Sequence, residues 1–248
     1  MSRRLRHLLD RLLGGDDSLR RRAFGRLRWT LSIPPRDWFD PAKRALFRAV
    51  RPYTMAGYRR LSHIHHLCRR AVEGGPAGAF VECGAWKGGA AGVMAAVARD
   101  EGRGRRTWVF DSFEGLPEPG PADGPDAPRW TGRCAARIEE AERLFFDTLR
   151  LDRALVLLRK GWFRDTLPAA RAEIGPIAVL RLDGDWYEST RTCLENLYDG
   201  VAAGGFVILD DYGYWQGFRR AVDEFAAARR LDLAIAPLDR SVAWFRKP

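Results

Sequence analysis

The chain has 248 residues, 46% hydrophobic and 30% charged, which supplies a large buried core and excludes a disordered or fibrous protein. The net charge of +10 sits at one end, because residues 1–60 hold 16 Lys and Arg against five Asp and Glu while the rest hold 26 against 27. Arg makes up 38 of the 42 basic residues, a bias that a GC-rich coding sequence produces without any partner; an anionic surface contact is the competing reading, and no specific nucleic-acid binding is expected. In chain order, Leu5, Leu8, Leu9, Leu12 and Leu13 recur at helical spacing among arginines until Gly14-Gly15 stops them. This predicts a short basic amphipathic helix, either packed, frayed or touching a membrane or partner. Pro34, Pro35 and Pro41 break the chain, and a helix is expected from about Tyr58 to Val72. His63, His65 and His66 lie on it at i, i+2 and i+3, so at most His63 and His66 share a face, which favours a solvated or lightly packed helix over a metal site.

From Ala79 the pattern changes to short apolar runs that end in Gly or Asp: AFVECG, TWVFDSF, ALVLLRKGWF, IAVLRLDGD and GFVILDD. Helical periodicity fills the intervals at 89–99, 137–149, 189–198 and 217–229. The alternation predicts an α/β fold with a mostly parallel sheet and helices on both faces. LDLAIAPL and SVAWFR, joined by a short link, predict an antiparallel end to that sheet. PEPGPADGPDAPR, residues 117–129, is expected to be a surface loop and a lid. The division expected is an arm at 1–50 and one domain at 51–248. Four dispersed cysteines without CxxC indicate reduced, buried thiols. Apolar stretches stay well short of the roughly 20 residues of a membrane span, and the N-terminus lacks the apolar core of a secretory signal, so a cytoplasmic protein is expected.

In an open α/β sheet the ligand lies beyond the carboxyl ends of the strands. Those ends here carry Glu82, Asp111, Asp183, Asp185, Asp210 and Asp211, six carboxylates on one edge. The first strand runs into Glu82, Gly84, Gly88 and Gly89, whose spacing is not GxGxxG; an acid beside the loop suits a ligand with an amino-acid end better than a pyrophosphate. Asp111 at the second strand end can accept from ribose hydroxyls, Ser112 follows it, and Phe113 and Trp162 can lie along a base, which together read as an adenosine site; core packing is the other reading of Trp162. Asp183 and the pair Asp210-Asp211 offer oxygen ligands to a hard divalent cation such as Mg²⁺. Asp185 and Tyr187 are candidates for a supporting or substrate-binding role, or for simple capping and packing.

Six strings carry a more specific signal: RPYTMAGYRRL (51–61), FVECGAWKGG (80–89), FDSFEGLPEP (110–119), GWFRDTLP (161–168), LRLDGDWYEST (180–190) and GGFVILDDYG (204–213). In this order the chain resembles the macrocin O-methyltransferase (TylF) family of class I S-adenosylmethionine-dependent methyltransferases. The resemblance implies a Rossmann-like methyltransferase sheet and Mg²⁺-dependent methylation of a hydroxyl on a small molecule that usually bears a sugar. It implies Asp183, Asp210 and Asp211 as metal ligands and Asp183 as the residue assisting deprotonation. Glu82 and Gly84 would lie near the methionine part of S-adenosylmethionine, Asp111 at its ribose, and the protein would be a homodimer. Cys83 stands where many members have Thr, and the Arg-rich residues 1–50 have no familiar counterpart in the antibiotic enzymes. Two other functions compete: a non-catalytic binding module docked through the basic arm, and an NAD(P)-dependent oxidoreductase, against which the missing GxGxxG counts.

Overall fold

The computed structural model describes residues 29–248, so the leucine-rich stretch at 5–13 lies outside the described residues. The elements are α1 (Pro41–Val50), α2 (Tyr58–Gly74), β1 (Ala79–Cys83), α3 (Gly89–Glu101), β2 (Thr107–Asp111), α4 (Ile138–Glu142), β3 (Val156–Lys160), α5 (Phe163–Ile174), β4 (Ile177–Leu182), α6 (Tyr187–Leu197), β5 (Val201–Leu209), α7 (Gln216–Ala228), β6 (Ala236–Pro237) and β7 (Ala243–Arg246). They build a seven-stranded sheet in the order β3-β2-β1-β4-β5-β7-β6. Pairings from β3 through β5 are parallel, and β7 runs antiparallel to both β5 and β6. The order reverses direction at β1 and β4, which opens a crevice above their carboxyl ends.

Period-two alternation divides the strand side chains between two cores. Phe80, Val109, Val179 and Phe206 pack under α1, α2 and α3. Val81, Trp108, Phe110, Leu180 and Val207 pack against α5, α6 and α7. Both sheet faces are covered, which is why the strands read as continuous apolar runs.

Two helices escaped the sequence reading, and each contains a proline. Pro41 does not break the chain but occupies the first turn of α1, where its missing N–H costs nothing, and Asp40 caps that turn by accepting from the Lys43 N–H at 2.8 Å. Phe47 and Val50 then anchor α1 in the core, so residues 41–50, assigned to the arm from sequence, are packed into the main body. Pro168 lies inside α5 and cannot bond the Arg164 carbonyl, yet burial of Leu167, Ala170 and Ile174 against the sheet holds the helix. The helix expected at 137–149 is α4 followed by a π-helix, Arg143–Thr148, whose wider turn lets adjacent Leu144 and Phe145 both be buried. The late strand expected from LDLAIAPL shrinks to the two residues of β6, which Pro237 ends. All four cysteines are free; Cys134 is half-buried and the other three are buried.

At the crevice Gly84 has φ +90°, and a Cβ there would lie 1.8 Å from the carbonyl oxygen of Asp183. The β1 and β4 ends can approach so closely only because this residue has no side chain. Gly84→Ala is expected to cost about 2–4 kcal/mol from the clash and the positive φ together. Denaturant unfolding should show a loss of that size; wild-type stability would mean that the two strand ends are less closely packed.

Candidate active site

The crevice is a cavity of about 1110 Å³, above the usual range for a single small ligand and roomy enough for a donor and an acceptor. Its floor is organised by a charge in the middle of an apolar strand. Arg181 on β4 is the register partner of Glu82 on β1, and the guanidinium lies 2.6 Å from Glu82, 2.9 Å from Asp183 and 2.7 Å from Asp210. Burial works against the guanidinium's charge, but the carboxylates outweigh it and hold its pKa well above the ordinary value. Burial pushes Glu82 up to about 7 despite Arg181. Arg60 on α2 adds a second cation, with Nε donating to Asp239 at 2.9 Å and Nη1 at 3.5 Å from Asp210.

Glu82 therefore differs from its expected place. It is fully buried on the α2–α3 side of the sheet and does not line the cavity; alternation along β1 turns it inward, towards Arg181. Gly84, Asp111, Ser112 and Trp162 do line the cavity, whereas Gly88, the φ +83° cap of α3, is buried against the Phe145 ring. Asp111 braces the β1–α3 loop: its carboxylate accepts from the N–H groups of Ala85 (2.7 Å), Trp86 (2.8 Å) and Phe113 (2.6 Å). Burial raises its pKa against those three bonds.

Asp183, Asp185 and Asp211 form the carboxylate cluster, with one oxygen of each lying within 4.8 Å of the others. Asp185 is the third member of this cluster; Asp210, expected as a metal ligand, lies outside it but lines the same cavity. Asp210 and Asp211 are consecutive and turn to different partners; Asp210 is drawn to Arg181 and Arg60. Burial raises Asp183 to about 6 and Asp185 to about 8, the latter with Asp183 as a repelling neighbour, and carries Asp211 well above its ordinary value. Buried Oδ2 of Asp211 receives no N–H hydrogen bond among the described residues; only the Asp183 carboxylate is placed to share a proton with it. Concentrated negative charge with a buried acceptor lacking an N–H donor fits a hard cation with oxygen ligands. The histidines on α2 take no part; His63 lies against the Trp244 ring.

The loop read as a lid is folded down over the site. Asp123, buried within it, accepts from the N–H of Gly120 and of Tyr187, both at 2.7 Å, and so ties the loop to the start of α6. Trp186 Nε1 donates to Pro117 O at 2.8 Å. Trp215 Nε1 donates to Asp185 Oδ1 at 2.9 Å, and its ring meets Trp186 and Tyr214 at 4.8 Å and Trp130 at 5.8 Å. Sequence reasoning missed Arg181, Arg60, Asp123 and Trp215. A signal existed for Arg181, since an Arg inside IAVLRL is a buried charge that requires partners.

The strand order, with an antiparallel seventh strand and a ligand crevice at the β1–β4 switch, defines a class I methyltransferase. The chain belongs to the macrocin-O-methyltransferase (TylF) family, whose model matches residues 35–247. It is 39% identical over 201 residues to the 8-demethyl-8-(2,3-dimethoxy-alpha-L-rhamnosyl)-tetracenomycin-C 4'-O-methyltransferase of Streptomyces olivaceus, covering 78% of this chain and 75% of that one. Demethyldecarbamoylnovobiocin O-methyltransferase of Streptomyces niveus is 38% identical over 202 residues, 79% of this chain and 76% of its own. Among solved structures, the O-methyltransferase NovP superposes with a TM-score of 0.72 at 38% identity, over 79% of this chain and 82% of that one. The calicheamicin methyltransferase CalS11 shares the fold at 23% identity, with a TM-score of 0.66 and 95% of each chain covered. The protein is accordingly an S-adenosylmethionine-dependent O-methyltransferase. Among the described residues no helix is long and apolar enough to cross a membrane.

Two predictions follow from the electrostatics. Arg181→Met leaves Glu82 and Asp210 buried without their principal counter-charge, and should cost about 3–5 kcal/mol in denaturant unfolding; a near-neutral effect would mean that both carboxylates are protonated in the native state. The second concerns pH. An acid whose pKa is higher folded than unfolded loses native stability as pH rises through that interval. His63 and His65, lowered by burial from 6.5 to about 4, act in the opposite direction, but only below pH 6.5. Between pH 6.5 and about 8 the raised carboxylates Glu82 and Asp185 dominate, so the metal-free protein should lose thermal stability there. Asp185→Asn should flatten the decline, and an unchanged slope in that variant would assign the titration to another group.

Proposed function

We propose that this protein methylates a hydroxyl on a sugar-bearing small molecule, with a divalent cation such as Mg²⁺ assisting. The observation that carries the reading is the cluster of Asp183, Asp185 and Asp211 at the β4 and β5 ends, inside a cavity that also reaches Gly84, Asp111, Ser112 and Trp162. The sugar is supported by the names of the relatives, one acting on a rhamnosyl-tetracenomycin and another being a mycinamicin III 3''-O-methyltransferase from Micromonospora griseorubida.

Asp183 and Asp211 would hold the cation, in line with the one or two carboxylates that Mg²⁺ commonly takes from a protein, and Asp185 completes the acidic wall. Bound there, a cation supplies positive charge that favours the ionised form of the acceptor hydroxyl. Asp183 is the expected proton acceptor, but the geometry favours Asp185. Asp183 lies 2.9 Å from Arg181, which reduces its basicity, whereas Asp185 makes no ion pair with an arginine among the described residues and is oriented by Trp215. The donor would occupy the side of the cavity formed by the β1, β2 and β3 ends, its methionine part over Gly84 and its adenosine between Asp111, Ser112 and Trp162. The acceptor would enter from the β5 side, beneath the aromatic wall. The folded-down loop excludes water from the reacting pair, and the remaining contribution is positioning.

Asp185→Asn is expected to lower kcat about 100- to 10,000-fold while leaving S-adenosylhomocysteine affinity, read by calorimetry, within about twofold. Full turnover in this variant would return the proton to Asp183. Chelator-treated protein should lose activity and regain it with Mg²⁺, and Asp211→Asn should abolish that rescue; undiminished activity after metal removal would refute the cation. Nucleic-acid or vesicle binding without any affinity for S-adenosylhomocysteine would instead favour the non-catalytic module. Residence in the cytoplasm and a homodimeric state belong to the same reading, and size-exclusion chromatography with light scattering tests the latter.

A further inference from the structure

The covering loop is fastened at its base and at its tip. At the base the N–H of Leu116 donates to Arg133 O and that of Gly132 donates to Leu116 O, both at 2.8 Å. At the tip one side chain does most of the fastening, because only Asp123 and Ala127 are buried among residues 121–133. The Asp123 carboxylate makes no ion pair among the described residues; Oδ2 accepts from Gly120 N–H and Oδ1 from Tyr187 N–H. Its socket is built from two helix starts. Trp186, which precedes α6, has no side-chain oxygen to cap that helix, so Asp123 supplies the acceptor from 64 residues away, at the end where the helix dipole favours negative charge. The other wall is α7, whose second residue is Gly217, and a Cβ there would lie 1.9 Å from Asp123 Oδ1. The carboxylate fits because α7 carries no side chain at that point.

The same fastenings bracket Asp185. It sits at φ +55° two residues before Tyr187, in the turn between β4 and α6. Trp186, next to it, donates its indole N–H to Pro117 O of the loop. The Trp215 indole that donates to Asp185 Oδ1 packs its ring against Trp130, also of the loop. A backbone of this kind persists only under restraint from its surroundings, and here much of the restraint comes from the loop. Resting on Asp185 as the proton acceptor in the function proposed above, we propose that Asp123 is a positioning residue that couples closure of the covering loop to the placement of Asp185. With Asp123 in its socket the loop is down and the turn is clamped. When Asp123 leaves, ligands pass and Asp185 loses its fixed orientation. The reactive geometry is thus completed by closure, after the ligands have entered.

The test reads the indole N–H groups of Trp186 and Trp215 in the full-length protein labelled with ¹⁵N-tryptophan, assigned through Trp186→Phe and Trp215→Phe. Trp108, buried in the sheet core, is the reference. In Asp123→Ala, exchange of both protons with water should speed up together by about tenfold, the loss expected of one helix cap, with Trp108 unchanged. Asp123→Asn keeps an acceptor for the Tyr187 N–H and should stay within about threefold of wild type. Gly217→Ala leaves Asp123 in the chain and favours α7 by propensity, yet it fills the socket and should reproduce Asp123→Ala. Wild-type exchange of Trp215 in Asp123→Ala or in Gly217→Ala overturns the inference. So does an equal acceleration of Trp108, which would make Asp123 a support of the whole fold. S-adenosylhomocysteine is titrated into the wild type by calorimetry alongside; failure to bind would strike at the methyltransferase reading and leave the exchange result standing.

Discussion

A single guanidinium sets the electrostatics of this molecule. Arg181 lies in the central strand of a sheet covered on both faces, and its charge is tolerated because Glu82, Asp183 and Asp210 converge on it from three strand ends. The arrangement also works in reverse. Carboxylates crowded onto one edge of a low-dielectric sheet would repel one another, and the buried cation is what lets them gather. Arg181 and Arg60 engage Asp210 where it lines the cavity, and the carboxylate cluster beside it is made of Asp183, Asp185 and Asp211. Structural charge and the charge available for chemistry are thus separated by a choice of partner, not by residue type.

Around this edge the loops are held by carboxylates acting as structural acceptors. Asp111 gathers three backbone N–H groups from the β1 and β2 loops, and Asp123 ties the covering loop to α6. The backbone here is also strained. Trp86, Cys134 and Asp185 line the cavity with φ between 50° and 61°, a region that side chains other than Gly seldom adopt. Such geometry persists only where surrounding contacts over-determine it, and for Asp185 these include the Trp215 indole and the close-packed β4 end. Three of the six such non-glycine residues among the described residues lie on this cavity, which fits a site pre-arranged for its chemistry.

Much of the fold was legible because hydrophobic runs and periodicity are local signals. The five parallel strands, α2, α3, α6 and α7 lie close to where the pattern placed them, and β7 is antiparallel as the short final link required. Pro41 reads as a breaker, and only packing reveals that there it starts a helix, while α5 forms despite Pro168 because its apolar face is buried. In the site, the strand-end rule brought Gly84, Asp111, Ser112, Trp162, Asp183, Asp210 and Asp211 to one cavity. It misjudged Glu82, which is buried off the cavity, because it fixes the height of a residue on the sheet but not the partner towards which its side chain turns.

By itself, then, the sequence determined the alternation of elements, the chemistry gathered on one sheet edge and the family, since these depend on residue types at short spacings along the chain. Tertiary structure alone decided the rest. Glu82 and Arg181 are 99 residues apart and become register partners. Asp185 joins Asp183 and Asp211 in the carboxylate cluster, while two arginines, one from α2 and one from β4, engage Asp210. Trp130, Trp186 and Trp215 come together from a loop and two helix caps to wall one part of the cavity. Each of these outcomes is a competition among groups distant in sequence for the same buried space, and burial strengthens every charge and hydrogen bond within it only after the chain has closed.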